Sequence, residues 1–228
     1  MLSNLTARLF DHADWLLSEQ RVDIRRDRGV VSFTFDDFPK SALDNGGAIL
    51  EREGWRGTFY TSMGLLDTDG TCGRIAGRED VRACLARGHE VAGHTFSHLD
   101  CRRARGRAIG QDMRDNESAL PAQSSRNFAY PFGSVDTRAM RRCARHVATA
   151  RGITEGVNAS NVDRRNLKAN AIYSARGLDG LLARVEENRA QGGWLILYTH
   201  DVRMGPSPFG CTPDDFQKAV QAVRDADL

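Results

Sequence analysis

The sequence predicts an α/β fold with parallel strands, on three observations. Short apolar runs rich in β-branched and aromatic residues recur along the chain, and each suits a strand buried on both faces. Between them lie longer segments with helical spacing of apolar residues, the alternation expected of crossover connections. Several runs stop abruptly at carboxylate or imidazole side chains, as they do where a site opens at the C-terminal ends of parallel strands. A barrel and an open doubly wound sheet both satisfy this pattern.

Taken in order, Leu2, Leu5, Leu9, Ala13, Leu16 and Leu17 fall on one face of a helix over residues 4–19. Residues 1–24 are therefore read as an N-terminal helical extension packed on the domain, and 25–228 as the main domain. The first strand spans 30–37. Pro39 and Ser41 then start a helix that ends at Gly54. The second strand is 57–62, followed by a Gly-, Asp- and Thr-rich loop over 63–77. A helix over 79–87, ended by Gly88, leads to the third strand at 90–95. A helix over 106–119 precedes a strand at 126–130 that Pro131 and Gly133 stop. Asp136 or Thr137 caps the next helix, and residues 146–150 read as the fifth strand. Residues 151–170 are polar and irregular and are expected to form part of the site rim. Strands at 171–175 and 193–200 flank a helix over 178–190. Thr212, Pro213, Asp214 and Asp215 mark the start of the last helix: a cap, a proline at the first position and acids in the first turn.

With 228 residues, 40% hydrophobic and 27% charged, the chain suits one globular domain. A net charge of +2 gives no basic footprint for nucleic acid. The short basic cluster Arg102, Arg103, Arg105 and Arg107 reads as a solvated loop and helix start. The five cysteines, at 72, 84, 101, 143 and 211, are odd in number and show no C-x-x-C. They indicate neither a disulfide framework nor a cysteine zinc site, and fit a reducing compartment. Arg8, Asp11, His12, Asp14 and Glu19 interrupt any apolar leader core, and no stretch reaches transmembrane length. The expectation is a cytoplasmic protein.

Residues 30–37 read VVSFTFDD and end in Asp36 and Asp37. Unpartnered buried carboxylates are costly, so the pair belongs at a strand end. His94 and His98 follow another strand. On a strand, four residues separate two side chains by about 13 Å; in a helical turn the Cβ atoms lie about 5–6 Å apart, and both imidazoles then reach one ion at about 2 Å. One carboxylate and two imidazoles form a three-ligand set with a position left for water. The second carboxylate is then free to act on that water. Alone, an Asp-Asp pair is commonly a helix cap, and two histidines four apart are commonly unrelated. Together, each after a strand, they point to a metal site.

These residues also carry a family resemblance. Thr34-Phe35-Asp36-Asp37 resembles the first motif of the polysaccharide deacetylases, the NodB-homology or carbohydrate esterase family 4 enzymes. His94-Thr95-Phe96-Ser97-His98 is similar to their H-[ST]-x-x-H motif. Phe128-Ala129-Tyr130-Pro131-Phe132-Gly133 resembles the third motif, and Leu195-Ile196-Leu197-Tyr198-Thr199-His200-Asp201 the last. The resemblance implies a distorted (β/α) barrel of about seven strands and metal-dependent removal of N-acetyl groups from a sugar or polysaccharide precursor. It makes Asp36 the base, His200 the acid, and Asp37, His94 and His98 the ligands of one divalent ion. Zinc suits that donor set first, with cobalt, nickel and iron as alternatives. Tyr130, Pro131 and Phe132 are expected to wall a sugar ring. A cytoplasmic setting implies a nucleotide sugar, a lipid-linked sugar or an intermediate of surface-polysaccharide synthesis.

Two positions depart from the family pattern. Ala129 stands where an arginine commonly orients the base. Arg151, directly after a strand, is expected within hydrogen-bonding reach of Asp36 or of the substrate, with Arg176 as second choice. Tyr198 stands where a leucine usually lines the acetyl-methyl pocket. These departures keep two other readings open: hydrolysis of a small or cyclic amide, and a carbohydrate-binding relative that has lost catalysis.

Overall fold

Seven strands form one parallel sheet in the computed structural model, which describes residues 21–228. They are β1 (Val30–Phe35), β2 (Thr58–Thr61), β3 (Glu90–Gly93), β4 (Asn127–Ala129), β5 (Thr149–Arg151), β6 (Asn170–Ala171) and β7 (Trp194–Thr199). Their order across the sheet is β6-β7-β1-β2-β3-β4-β5. Six helices pack around it: α1 (Ala48–Arg52), α2 (Arg78–Ala86), α3 (Gly106–Ala119), α4 (Thr137–Cys143), α5 (Asp179–Gln191) and α6 (Pro213–Asp225). The α/β fold and the seven strands expected from the sequence are present, and the sheet is curled into the half-barrel of the NodB-like type.

Register brings the chemistry to one rim. Thr199 pairs with Phe35, so Asp36 and His200 leave neighbouring strands side by side. Thr61 pairs with Gly93, and the His94 amide donates to the Thr61 carbonyl at 3.2 Å. Ala129 pairs with Arg151. Because all these strands are parallel, every one of these residues emerges at the same end.

The core explains why β1 is so apolar. Phe33 and Phe35 pack with Phe59 from β2 and Phe216 from α6, with ring centroids 4.6 Å apart for Phe35 and Phe59. All four are buried. A second cluster, with Ile109, Met113, Phe128, Tyr130 and Met140, lies between α3, α4 and the β4–β5 side of the sheet. Burying one large side chain of this kind stabilises by about 1.5–3 kcal/mol.

Several expected elements are redrawn. Residues 42–47 form a wide π-helical turn before α1. There a Cβ on Gly46 would stand 2.7 Å from the Phe35 ring, so the wide turn lies directly on the core. Residues 63–77 hold a short 3-10 turn and a two-stranded hairpin, Asp69–Gly70 with Gly73–Arg74. The strand expected at 146–150 begins only at Thr149, because the His146 amide closes a turn onto the Cys143 carbonyl at 2.9 Å. The strand expected at 171–175 is cut to Asn170–Ala171; the Ser174 amide turns instead to the Gly210 carbonyl at 3.1 Å. Thr212 caps α6 as expected, accepting from the Asp215 amide at 3.1 Å.

Residues 151–170 are more than a rim. The Leu167 amide donates to the Ala150 carbonyl, and the Gly152 amide to the Leu167 carbonyl, at 2.9 and 3.0 Å. Three residues on, the chain enters β6 and pairs with β7. One segment therefore lines the outer edge of β5 and then supplies β6, the edge strand on the other side of the sheet.

The helix expected over 4–19 lies outside the described residues. Residues 21–24, assigned to the extension, belong to the domain's bonding pattern. Arg21–Val22 pair antiparallel with Val162–Asp163, and the Ile24 amide donates to the Ala159 carbonyl. Among the described residues no helix is long and apolar enough to cross a membrane.

Candidate active site

Asp37, His94 and His98 meet at the rim. His94 and His98 place their Nε2 atoms 3.4 and 3.1 Å from Asp37 Oδ1, and their ring centroids are 5.0 Å apart. The sequence reading brought the two histidines together by a helical turn. The structure uses a loop, in which Thr95 and His98 both take left-handed backbone (φ 58° and 56°). A β-branched residue in that region is strained and persists only where its surroundings over-determine it. Here Thr95 Oγ1 accepts from the Leu99 amide at 2.8 Å. Asp112 on α3 accepts from the amides of Phe96 and Ser97 and the Ser97 hydroxyl, at 2.7, 3.0 and 2.7 Å. One turn further along α3, Asn116 is buried; it accepts from the Met63 amide at 2.9 Å and donates to the Thr61 carbonyl at 3.0 Å.

The donor set fits a divalent cation. His94 Nδ1 lies 2.7 Å from the Ala129 carbonyl, which requires N–H at that nitrogen and leaves the neutral ring a lone pair at Nε2. That lone pair faces Asp37 Oδ1, a buried carboxylate oxygen with no hydrogen-bond partner. Two acceptors turned toward each other are satisfied by a proton or a metal cation between them, and two imidazoles and a carboxylate are the donors a divalent transition ion takes.

Asp36 sits in a different setting. Arg151 Nη2 donates to Asp36 Oδ1, and both side chains are almost fully buried. The guanidinium carbon lies 4.8 Å from the Tyr60 ring centroid and 4.9 Å from that of Tyr198, so two aromatic faces sandwich it. Its Nη1 donates to the Gly152 carbonyl at 3.4 Å, while Nε has no hydrogen-bond partner. Burial disfavours the charged guanidinium, but Asp36 beside it more than compensates, so its proton is held more tightly than usual. Arg151 is therefore where the sequence reading put it relative to Asp36. The alternative, Arg176, is exposed and pairs with Glu155 at 3.3 Å.

His200 completes the rim. Its Nδ1 lies 3.1 Å from the Phe209 carbonyl and its Nε2 3.9 Å from Asp37 Oδ2. The loop holding Phe209 is fixed by Asp201, fully buried, which accepts from the Ser207 amide and hydroxyl at 2.8 and 2.5 Å and from Arg203 Nε at 2.8 Å. Cys72, on the hairpin over the site, also reaches this point; burial pushes its thiol up to about 12.

Asp36, Asp37, His94, His98, Tyr198 and His200 line a cavity of about 380 Å³. Phe132 also lines it, 63% exposed and stacked edge-on to His98 with centroids 4.4 Å apart. Tyr130 and Pro131 do not form the expected wall. Tyr130 turns into the core and donates its hydroxyl to the Arg165 carbonyl at 2.9 Å; Pro131 is buried at the start of a 3-10 turn. Adjacent residues of an extended strand point to opposite sides, which sends Tyr130 inward. The exposed partners of Phe132 are instead Ile153 and Phe209. Sequence reasoning missed Asp112, Asn116, Ile153, Tyr60 and Cys72; only Asp112 and Asn116 carried a signal, as polar residues on the inner face of a helix.

The sequence profile described as polysaccharide deacetylase matches residues 23–150, more than half of the chain, and the protein belongs to that family. No curated protein matches the chain. Among solved structures it is similar to a family 4 carbohydrate esterase from Streptomyces lividans, at 17% identity, with 87% of each chain covered and a TM-score of 0.55. It is also similar to the chitin deacetylase of Colletotrichum lindemuthianum, at 17% identity over 90% of this chain and 84% of that one, with a TM-score of 0.57. A mutant of the family 4 pseudoenzyme BA3943, with restored enzymatic activity, shares 16% identity over 91% of this chain and 68% of that one, at a TM-score of 0.58.

Proposed function

We propose that this polysaccharide-deacetylase-family chain is an active, metal-dependent hydrolase that removes the acetyl group from an N-acetylated saccharide. Asp37, His94 and His98 would hold one divalent ion, with zinc the first choice. Bound there, the ion would polarise the amide carbonyl and acidify water, lowering its pKa from about 15.7 toward 7. Asp36 acts as general base and takes a proton from the attacking water. Arg151 keeps Asp36 turned to that task. His200 Nε2, its ring steered by the Phe209 carbonyl, gives a proton to the leaving amine nitrogen. Acetate and a free amine are the products. Phe132, Ile153 and Phe209 are exposed apolar groups at the cavity mouth and would pack on the sugar ring.

The observation that carries this reading is the division between the carboxylates. One is held by a buried guanidinium; the other has an unpartnered oxygen facing two imidazoles. The Arg151 contact supports retained catalysis over a lapsed carbohydrate-binding role, because it supplies the positioning that Ala129 lacks. A cytoplasmic setting and a soluble or lipid-linked sugar of surface-polysaccharide synthesis are part of the proposal, supported by the odd cysteine count without paired spacing. The test is acetate release from a panel of N-acetylated sugars and small cyclic amides. Release from an N-acetyl sugar, abolished by chelation and restored by zinc or cobalt, is the expected result. Release only from cyclic amides, or none at all with the ion bound, would overturn the reading.

A further inference from the structure

Asp37 offers its two oxygens to two different groups of donors. Oδ1 faces His94 and His98, at 3.4 and 3.1 Å. Oδ2 faces His200 Nε2 at 3.9 Å. On that second side the Cys72 sulfur completes a set: donor atoms of Asp37, Cys72 and His200 lie within 4.8 Å of one another. Cys72 is 4% exposed and sits at the tip of the Asp69–Arg74 hairpin, with its sulfur 3.6 Å from the Ser207 hydroxyl oxygen. His200 Nδ1 is committed to the Phe209 carbonyl, so its Nε2 lone pair points into the same space.

We propose a second cation position in this protein, made by Asp37 Oδ2, His200 Nε2 and the Cys72 thiolate, and selective for a thiophilic divalent transition ion such as zinc, cadmium or cobalt. Asp37 would then act as a bridging carboxylate, as in two-metal sites whose ions stand about 3.5–4 Å apart. A thiolate donor favours these ions over magnesium, calcium or manganese. Binding forms one sulfur–metal bond and releases the thiol proton to solvent, since a coordinating thiol is deprotonated outright. The first position, with two imidazoles and no thiol, fills first; the second fills at higher metal concentration, where a proton must be displaced. A consequence follows for activity, and it rests on the role proposed above for His200. An ion on Nε2 removes the nitrogen that protonates the leaving amine, so excess metal inhibits.

The experiment is a cobalt titration of the metal-free protein, read by visible and near-ultraviolet absorption with parallel measurement of proton release. The first equivalent should give d–d bands without thiolate charge transfer. The second should add a thiolate-to-cobalt charge-transfer band and release one further proton. Cys72→Ser should keep the first equivalent and lose the band. In His94→Ala the band should appear from the first equivalent, because the second position no longer competes with a better one. Saturation of the wild type at one equivalent with no thiolate band, or an unchanged second equivalent in Cys72→Ser, would overturn the site. The activity arm compares turnover with one equivalent and with excess zinc. A several-fold inhibition that Cys72→Ser relieves supports both claims. A thiolate band without inhibition keeps the site and overturns the acid role of His200.

Discussion

Asp36 and Asp37 are neighbours in sequence with opposite surroundings. Asp36 is 5% exposed and gripped by Arg151, which is itself packed between Tyr60 and Tyr198. Among the described residues no lysine or arginine pairs with Asp37; a buried oxygen faces imidazole nitrogens instead. Chain direction produces the difference. The Asp36 amide still donates to the Thr199 carbonyl of β7 at 2.9 Å, whereas Asp37 takes left-handed backbone at φ 61° and Phe38 follows at φ 52°. Two carboxylates one peptide apart thus reach two environments, one paired with a buried guanidinium and one facing imidazole nitrogens.

The largest expected effect comes from emptying the Asp36 side. Arg151→Ala leaves a buried carboxylate unpaired and removes packing from two tyrosines. We expect a loss of about 3–5 kcal/mol in denaturant unfolding, with metal stoichiometry unchanged. A loss below 1 kcal/mol would mean that Asp36 finds another partner or becomes a metal ligand. Arg151→Lys should recover only part, since an ammonium lacks the planar face that lies between the rings.

A smaller effect is expected on the Asp37 side, from a residue that never touches the ion. Asp112→Ala releases three hydrogen bonds that fold the loop carrying His98. Metal affinity should fall by about 10–100-fold, as for other groups that orient ligands, measured by competition with a chromophoric chelator. Unchanged affinity would show that the left-handed loop holds its shape without α3. The smallest effect is at the mouth. Phe132→Ala should change stability by less than about 0.5 kcal/mol, because the ring is mostly exposed. KM for the saccharide should rise several-fold with kcat little changed; equal KM values would remove Phe132 from the substrate wall.

How much of this was legible in the sequence differs between the two sides. The strand ends, the carboxylate pair and the histidine pair were all readable, because apolar runs stopped at ionisable residues and parallel strands share one rim. The link from Arg151 to Asp36 was readable as well, from a missing guanidinium and an arginine placed after a strand. The sandwich around it was not, since Tyr60 and Tyr198 lie far apart in sequence and meet only through the curl of the sheet. That sandwich ties the two departures together. Tyr198 packs on the Arg151 guanidinium that pairs with Asp36, and Ala129 lies beside Arg151 across the β4–β5 pairing, so both departures meet at one arginine. Tyr130 was misread because the proline-aromatic run was taken as one surface, whereas β4 ends at Ala129 and Phe132, in left-handed backbone at φ 60° within the 3-10 turn, leaves the side that Tyr130 takes. The His94–His98 geometry came from two left-handed residues, Thr95 and His98, whose types give no sign of such backbone. The bonding of residues 164–167 along β5 was hidden for a similar reason, since a polar irregular segment carries no periodicity.

The central claim is that the two carboxylates divide their work, Asp37 holding the ion and Asp36 acting beside it. The direct measurement is zinc content by elemental analysis of Asp36→Asn and Asp37→Asn after dialysis against equal zinc, with acetate release assayed on the same samples. The account predicts that Asp36→Asn keeps one ion while turnover falls by at least about 10²-fold, and that Asp37→Asn loses most of its ion. Loss of the ion in Asp36→Asn, or full occupancy in Asp37→Asn, would contradict it.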